Sequence, residues 1–153
     1  MRAIFFGTPA IAVPALNALS EIAEVSLVIC QPDRPSGRGL ELKIPPVKAR
    51  ALELSIPVLQ PDKVRTPEFA ERIRQEQADV ALVIAYGRIL PPAVLRGPKQ
   101  GCLNLHASLL PKLRGAAPIT WAIVRGESET GISLMQMDEG CDTGPVYTMH
   151  RIP

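Results

Sequence analysis

Short apolar runs of strand length recur along this chain with helix-length amphipathic segments between them, and this alternation constrains the fold more than any other feature of the sequence. Strands are expected near 2–6, 25–30, 57–59, 79–84, 101–105, 131–136 and 144–149, and helices near 13–20, 46–55, 67–76 and 117–125. Thr66 is placed to cap the third helix, Pro67 fits its first position, and Gly126 should end the fourth. Strands separated by helices pair in parallel, because each crossover returns the chain to the same end of the sheet. The expected fold class is therefore α/β, with a mainly parallel sheet of about seven strands and helices on both faces. Ligands of such sheets collect beyond the carboxyl ends of the strands.

A chain of 153 residues, 46% of them hydrophobic, is long enough for one core and short for two, so residues 1–153 are read as a single domain. Its 16 prolines fall at boundaries between periodic segments, and there is no internal repeat. A formal charge of +2 and 4% aromatics exclude a surface given over to stacking nucleic-acid bases, so any basic site must be local. Cys30, Cys102 and Cys141 are odd in number and widely spaced, without a C-x-x-C pair or a histidine at zinc-site distance. Reduced cytoplasmic thiols are expected. Met1–Leu19 is mostly apolar, but Gly7-Thr8-Pro9 and Pro14 interrupt it, so it reads as strand, turn and helix instead of a secretory signal. No run approaches the roughly 20 apolar residues that cross a bilayer.

The turn Gly7-Thr8-Pro9 follows the first strand where a nucleotide-binding turn would lie, but it has one glycine, and neither G-x-G-x-x-G nor G-x-x-x-x-G-K-[ST] is present. A tight turn and a direct ligand role both remain open for it. Residues 31–40 carry no apolar period and should form a long mobile loop. From Asp33 to Arg50, five basic residues stand against two acidic ones, so this stretch carries +3 and the rest of the chain −1. Glycines on both sides of Arg38 give its guanidinium a flexible mount, which suits a phosphate arriving from solution.

Asn104 and His106 interrupt the apolar run Cys102, Leu103, Leu105, Leu109, Leu110. Their spacing of two is the strand period, so both should point to one face. Residues 138–144, Asp-Glu-Gly-Cys-Asp-Thr-Gly, follow another apolar strand and should bring a carboxylate back to the strand ends. An amide that donates to an oxyanion, an imidazole that moves a proton and a carboxylate that orients it would serve acyl transfer without a covalent nucleophile. From spacing alone, a buried Asn–His pair satisfied by backbone groups is the slightly favoured account.

Seven segments in order resemble the catalytic domain of the methionyl-tRNA formyltransferase family: Phe6–Pro9, Gln31–Gly39, Pro45–Lys48, Ile56–Pro61, Ala85–Pro91, Asn104–Pro118 and Met137–Gly144. The Asn104–Pro118 stretch and the Asp-x-Gly loop are shared with the wider 10-formyltetrahydrofolate transformylases, which include glycinamide ribonucleotide and sugar-nucleotide enzymes. The Gln31–Gly39 loop points to the initiator-tRNA branch. The resemblance implies a three-layer, Rossmann-like formyltransferase fold and transfer of a formyl group from 10-formyltetrahydrofolate, as cosubstrate, to the α-amine of methionyl initiator tRNA. It implies catalytic roles for Asn104, His106 and Asp142, and folate contacts from Ala85, Tyr86, Gly87, Ile89, Leu90, Asp138, Glu139 and Gly140. Contacts to tRNA would come from Arg34, Arg38 and Lys43. It further implies a cytoplasmic enzyme of translation initiation with no metal, DNA or membrane partner. A formyltetrahydrofolate hydrolase, a transformylase acting on another amine, and a non-catalytic folate-binding module are the alternatives. Family members continue into a helix, a linker and a small tRNA-gripping β-barrel; with these lying beyond Pro153, an apolar patch is expected where the helix would pack.

Overall fold

The first strand, β1 (Arg2–Gly7), is the axis of the computed structural model, which describes residues 1–36 and 41–153. After a short 3-10 turn at Ala10–Ala12 come α1 (Val13–Ile22) and β2 (Glu24–Ile29). A small antiparallel pair follows, β3 (Arg34–Ser36) and β4 (Glu41–Lys43), then α2 (Pro46–Glu53), β5 (Val58–Leu59), α3 (Pro67–Gln75) and β6 (Val80–Ile84). The chain continues through α4 (Pro92–Leu95), β7 (Cys102–His106), α5 (Pro118–Val124), β8 (Thr130–Gln136) and β9 (Val146–Ile152). The main sheet has seven strands in the order β5-β2-β1-β6-β7-β8-β9. The first five run parallel, and β8 and β9 add antiparallel edges.

Alternating side chains of β1 divide the core into two layers. Ile4 and Phe6 pack with Phe69, Ala70 and Ile73 of α3 and with Val94 and Leu95 of α4. Ala3 and Phe5 pack on the other face with Leu16 and Leu19 of α1 and Val47 and Ala51 of α2. Phe5 and Phe6 are fully buried, and each contributes about 1.5–3 kcal/mol of transfer free energy. Strict alternation fails in β2, where Val25 and Leu27 enter opposite layers. A bulge is the cause: Ala3 pairs with Val25 and Ile4 with Leu27, so Ser26 is the extra residue that flips the side chains after it.

The expected α/β class, the seven strands and the four longer helices are all present, with boundaries shifted by a few residues. Among the described residues, each α-helix carries proline in its first two positions, which accounts for part of the proline content. Thr66 Oγ1 accepts a hydrogen bond from Phe69 N at 3.2 Å, as its capping position predicts. Gly126, at φ 63°, ends α5. Two features differ from expectation. Residues 34–36 and 41–43 pair as strands where a long loop was expected, with Arg34 opposite Lys43 and Pro35 opposite Leu42. The one-turn helix α4 was not anticipated, because four residues give no readable period. Among the described residues, no helix is long and apolar enough to cross a membrane.

Candidate active site

Asn104 and His106 stand at the carboxyl end of β7 on the face shared with α3 and α4. The register sets this: Val83 of that layer lies beside Asn104, while Met135 and Ser133 of β8 lie opposite Asn104 and His106. Asp142 reaches them from the β8–β9 loop, with a left-handed backbone at φ 52°. Its Oδ1 accepts from Asn104 Nδ2 at 3.4 Å, and its Oδ2 lies 3.5 Å from His106 Nδ1. Gly115 N donates to the same Oδ2 at 2.8 Å. On the far side of the ring, His106 Nε2 lies 2.9 Å from Leu113 O. Both ring nitrogens therefore face acceptors, so the imidazolium can use two donors here and either neutral tautomer only one. The side chains of His106 and Asp142 are only 7% and 15% exposed, which strengthens their mutual electrostatics relative to a surface pair.

The loop carrying Asp142 is built by its own residues. Asp138 Oδ1 accepts from Gly140 N at 2.9 Å and from Thr143 Oγ1 at 2.7 Å. A Cβ on Gly140 would collide with the Thr143 hydroxyl, and one on Gly144 with the carbonyl of Gln136. Glycine at these two positions thus permits the tight return that places Asp142 under Asn104.

A cavity of about 460 Å3 opens where the strand order reverses, between the turns after β1 and β6. Thr8, Gln31, Ala85, Tyr86 and Gly87 line it, together with Arg34 and Lys43 of the β3–β4 pair. Gln31 ties these turns together: its N donates to Thr8 Oγ1 at 3.2 Å, its Nε2 to Tyr86 O at 3.1 Å, and its Oε1 accepts from Arg88 Nε at 2.9 Å. Arg34 and Lys43, like charges facing each other across two strands, repel unless an anion lies between or near them. Arg38 lies outside the described residues.

The eight residues expected against folate are divided by the fold. Ala85 and Gly87 present left-handed backbone, φ 47° and 87°, to the first cavity. Tyr86 and Leu90 send their side chains into the core, Tyr86 edge-on to Phe6 at 5.3 Å between centroids. Burial pushes the Tyr86 phenol up to about 12, against the pull of the Arg88 guanidinium, and its hydroxyl is buried with no partner among the described residues. Ile89 is exposed. Asp138 and Glu139 instead line a second cavity of about 400 Å3 with Pro92, Leu95, Arg96 and Met137.

Four groups around His106 escaped the sequence reading: the carbonyl of Leu113, the amide of Gly115, and the hydroxyls of Ser108 and Ser133. The first two are backbone atoms, which carry no residue signature. Ser133 was detectable only through the β7–β8 register, which no short motif encodes.

With this geometry in view, a sequence profile described as formyl transferase matches residues 1–153. The chain belongs to the formyl transferase family. A methionyl-tRNA formyltransferase of Sorangium cellulosum is 74% identical over 153 residues, covering 100% of this chain and 49% of the relative. One from Myxococcus xanthus is 57% identical over 151 residues, covering 99% and 48%. The chain spans about half the length of the curated relatives it matches. Among solved structures, phosphoribosylglycinamide formyltransferase from Bacillus halodurans aligns with a TM-score of 0.79 at 25% identity, over 99% of this chain and 79% of its own. Formyl transferases of unlike name therefore share this α/β sheet. Among the described residues of this formyl transferase, no three His, Cys, Asp or Glu side chains are grouped to hold a metal ion.

Proposed function

We propose that this formyl transferase moves a formyl group from 10-formyltetrahydrofolate to the α-amine of methionyl initiator tRNA, in the cytoplasm and without a metal. The observation that carries the reading is the convergence of Asn104, His106 and Asp142 at the end of β7. Relatives at 74% and 57% identity that are named methionyl-tRNA formyltransferase support the choice of acceptor.

The amine nitrogen attacks the formyl carbon, and negative charge develops on the formyl oxygen. Asn104 has two amide hydrogens; one is directed at Asp142 and the other is left for that oxyanion. His106 supplies a second N–H when one of its two ring contacts lengthens, and Asp142 stabilises the imidazolium it faces. The attacking amine then loses a proton as the folate nitrogen gains one, and His106 is the group placed to route it. Left-handed backbone at Ala85 and Gly87 offers polar main-chain groups to a folate ring system, and Asp138, Glu139 and Gly140 of the β8–β9 loop are assigned to the same ligand. The paired cations Arg34 and Lys43, with Arg38 between them in sequence, are assigned to tRNA phosphates.

The deciding experiment is formylation of methionyl initiator tRNA, with free formate measured in parallel to separate transfer from hydrolysis. Asn104→Ala should lower kcat by about a hundredfold to a thousandfold, with the folded state retained by circular dichroism. Near-parental turnover would sink the assignment. Arg34→Ala and Lys43→Ala should weaken tRNA use with folate affinity intact, each flattening the log–log salt dependence by about 0.7–0.9.

A further inference from the structure

Two side chains from different parts of the sheet converge on one carbonyl, that of Tyr86 in the turn after β6. Thr8 Oγ1, just past β1, donates to it at 3.1 Å, and Gln31 Nε2, just past β2, donates to it at 3.1 Å. The same Thr8 oxygen accepts from Gln31 N at 3.2 Å, so the hydroxyl is donor and acceptor at once. The Tyr86 phenol has no partner among the described residues, so this residue makes its polar contacts through its main chain.

The Gln31 amide is held one way round. Its Oε1 accepts from Arg88 Nε at 2.9 Å, and a reversed amide would set its NH2 group against that guanidinium and its oxygen against the Tyr86 carbonyl. Arg88 is anchored independently of Gln31, by the carbonyls of Pro61 and Asp62. Gln31 O accepts from Gln60 Nε2 at 3.0 Å. Only 8% exposed, Gln31 thus has its main-chain N–H and C=O and both ends of its amide paired.

These contacts fix a group that neither side chain touches. The Tyr86–Gly87 peptide is trans, and a trans peptide directs its N–H opposite to its C=O. With the Tyr86 carbonyl drawn toward Thr8 and Gln31, the N–H of Gly87 is turned away from both. Gly87 lines the cavity of about 460 Å3, and its N–H has no partner among the described residues.

We infer that Gln31 and Thr8 are positioning residues that present the Gly87 N–H to a ligand in this cavity, as donor to a lone pair on the folate heterocycle or on the aminoacyl end of the acceptor. The inference rests on the proposed function for the identity of the ligand and not for the orientation of the peptide. A donor that holds the bound ligand contributes to ground state and transition state alike, so loosening it raises KM and leaves kcat in place.

Tyr86-Gly87 is the one Tyr-Gly pair in the chain. With 13C at tyrosine carbonyls and 15N at glycine, a carbonyl-to-amide NMR correlation therefore gives a single signal, from this peptide alone. In the parent, its amide proton should shift on addition of tetrahydrofolate or of methionyl-adenosine, whichever presents the lone pair. Gln31→Met and Thr8→Val should each move the carbonyl resonance upfield and raise KM for that substrate about two- to tenfold, with kcat and the other KM within about twofold of the parent. Thr8→Ser, which keeps the hydroxyl, should retain the parent carbonyl resonance. Ile73→Val, in the core away from the site, is the control for a matched drop in Tm and should leave the signal and both KM values unchanged. A carbonyl resonance that neither Gln31→Met nor Thr8→Val moves overturns the inference, as does an amide proton that neither compound shifts, or a loss confined to kcat. Should one of the two variants not fold, the other decides. If the parent shows no formyl transfer, the proposed function fails, and the carbonyl resonance with the amide shift for each compound still tests the positioning role.

Discussion

The sheet divides at β7 into two regions built on different terms. On one side, β2, β1 and β6 lie between helical layers, and the side chains of β1 from Ala3 to Phe6 are fully buried. On the other, β9 is exposed at every position after Val146, and α5 buries only Ala122 while Ile119, Trp121, Ile123 and Val124 face outward. The candidate catalytic groups sit at the seam. Rigid parallel strands fix Asn104 and His106, whereas Asp142 comes from a loop of the thinly covered region. The difference teaches that the Asn104–His106–Asp142 cluster draws on both regions and forms where they meet, along β7.

Substitution on each side is the bluntest way to break that division. Phe5→Ala, between β1 and the α1–α2 layer, should cost about 3–5 kcal/mol in denaturant unfolding. Ile123→Ala, on the outer face of α5, should change stability by no more than about 0.5 kcal/mol and should reduce any self-association seen by sedimentation. Comparable losses from the two would mean that the second region is as tightly packed as the first.

Acid titration sharpens the comparison further. Asp79 bridges the start of β6 to Lys99 Nζ and to Arg2 N, both at 2.8 Å, and those bonds, the lysine's first, hold its carboxyl below the ordinary 3.8. Because the folded state binds that proton less readily than the unfolded state, the stabilisation is present above pH 3.8 and is lost as pH falls through the lowered native value. Asp79→Asn should therefore be less stable than the parent at neutral pH, and the gap should close below that pH. A gap that persists unchanged in acid would show that the effect is not the carboxylate's charge.

The smallest effect is a count of thiols. Burial pushes Cys30 up to about 11 and Cys102 up to about 12, while Cys141 is exposed in the β8–β9 loop. A thiol-specific reagent near pH 8 should label one cysteine in the native protein and three in denaturant. More than one native label would place Cys30 or Cys102 in a region that opens readily.

Much of this was legible in the sequence because local signals agreed with the tertiary fold. Thr66-Pro67 marked the start of α3, Gly126 marked the end of α5, and the two-residue spacing put Asn104 and His106 on one face. What escaped was decided by pairing at a distance. The bulge at Ser26 cannot be seen without β1 beside it, and Ser133 gains its meaning only from the strand it lies against. The motif around Tyr86 and Leu90 does not say where their side chains go; the turn after β6 directs both inward and leaves Ala85–Gly87 along the cavity. The pairing of Arg34 with Lys43 stayed hidden because Pro and Gly around it mask any strand period.

The place of β1 in the middle of the sheet has a consequence for synthesis on the ribosome. Its six residues are made well before one of its partners, β6, which ends at Ile84. The hydrophobic run Ala3–Phe6 must therefore wait, shielded on one edge at most by β2, until synthesis has passed Ile84. At roughly 5–20 residues per second, Asp142 follows Ile84 by about 3–12 s. The nascent chain thus has time to close its parallel core before the loop that completes the Asn104–His106 cluster exists. A substitution that slows pairing of β1 with β6 would leave that apolar strand open to chaperones and to other nascent chains throughout the same interval.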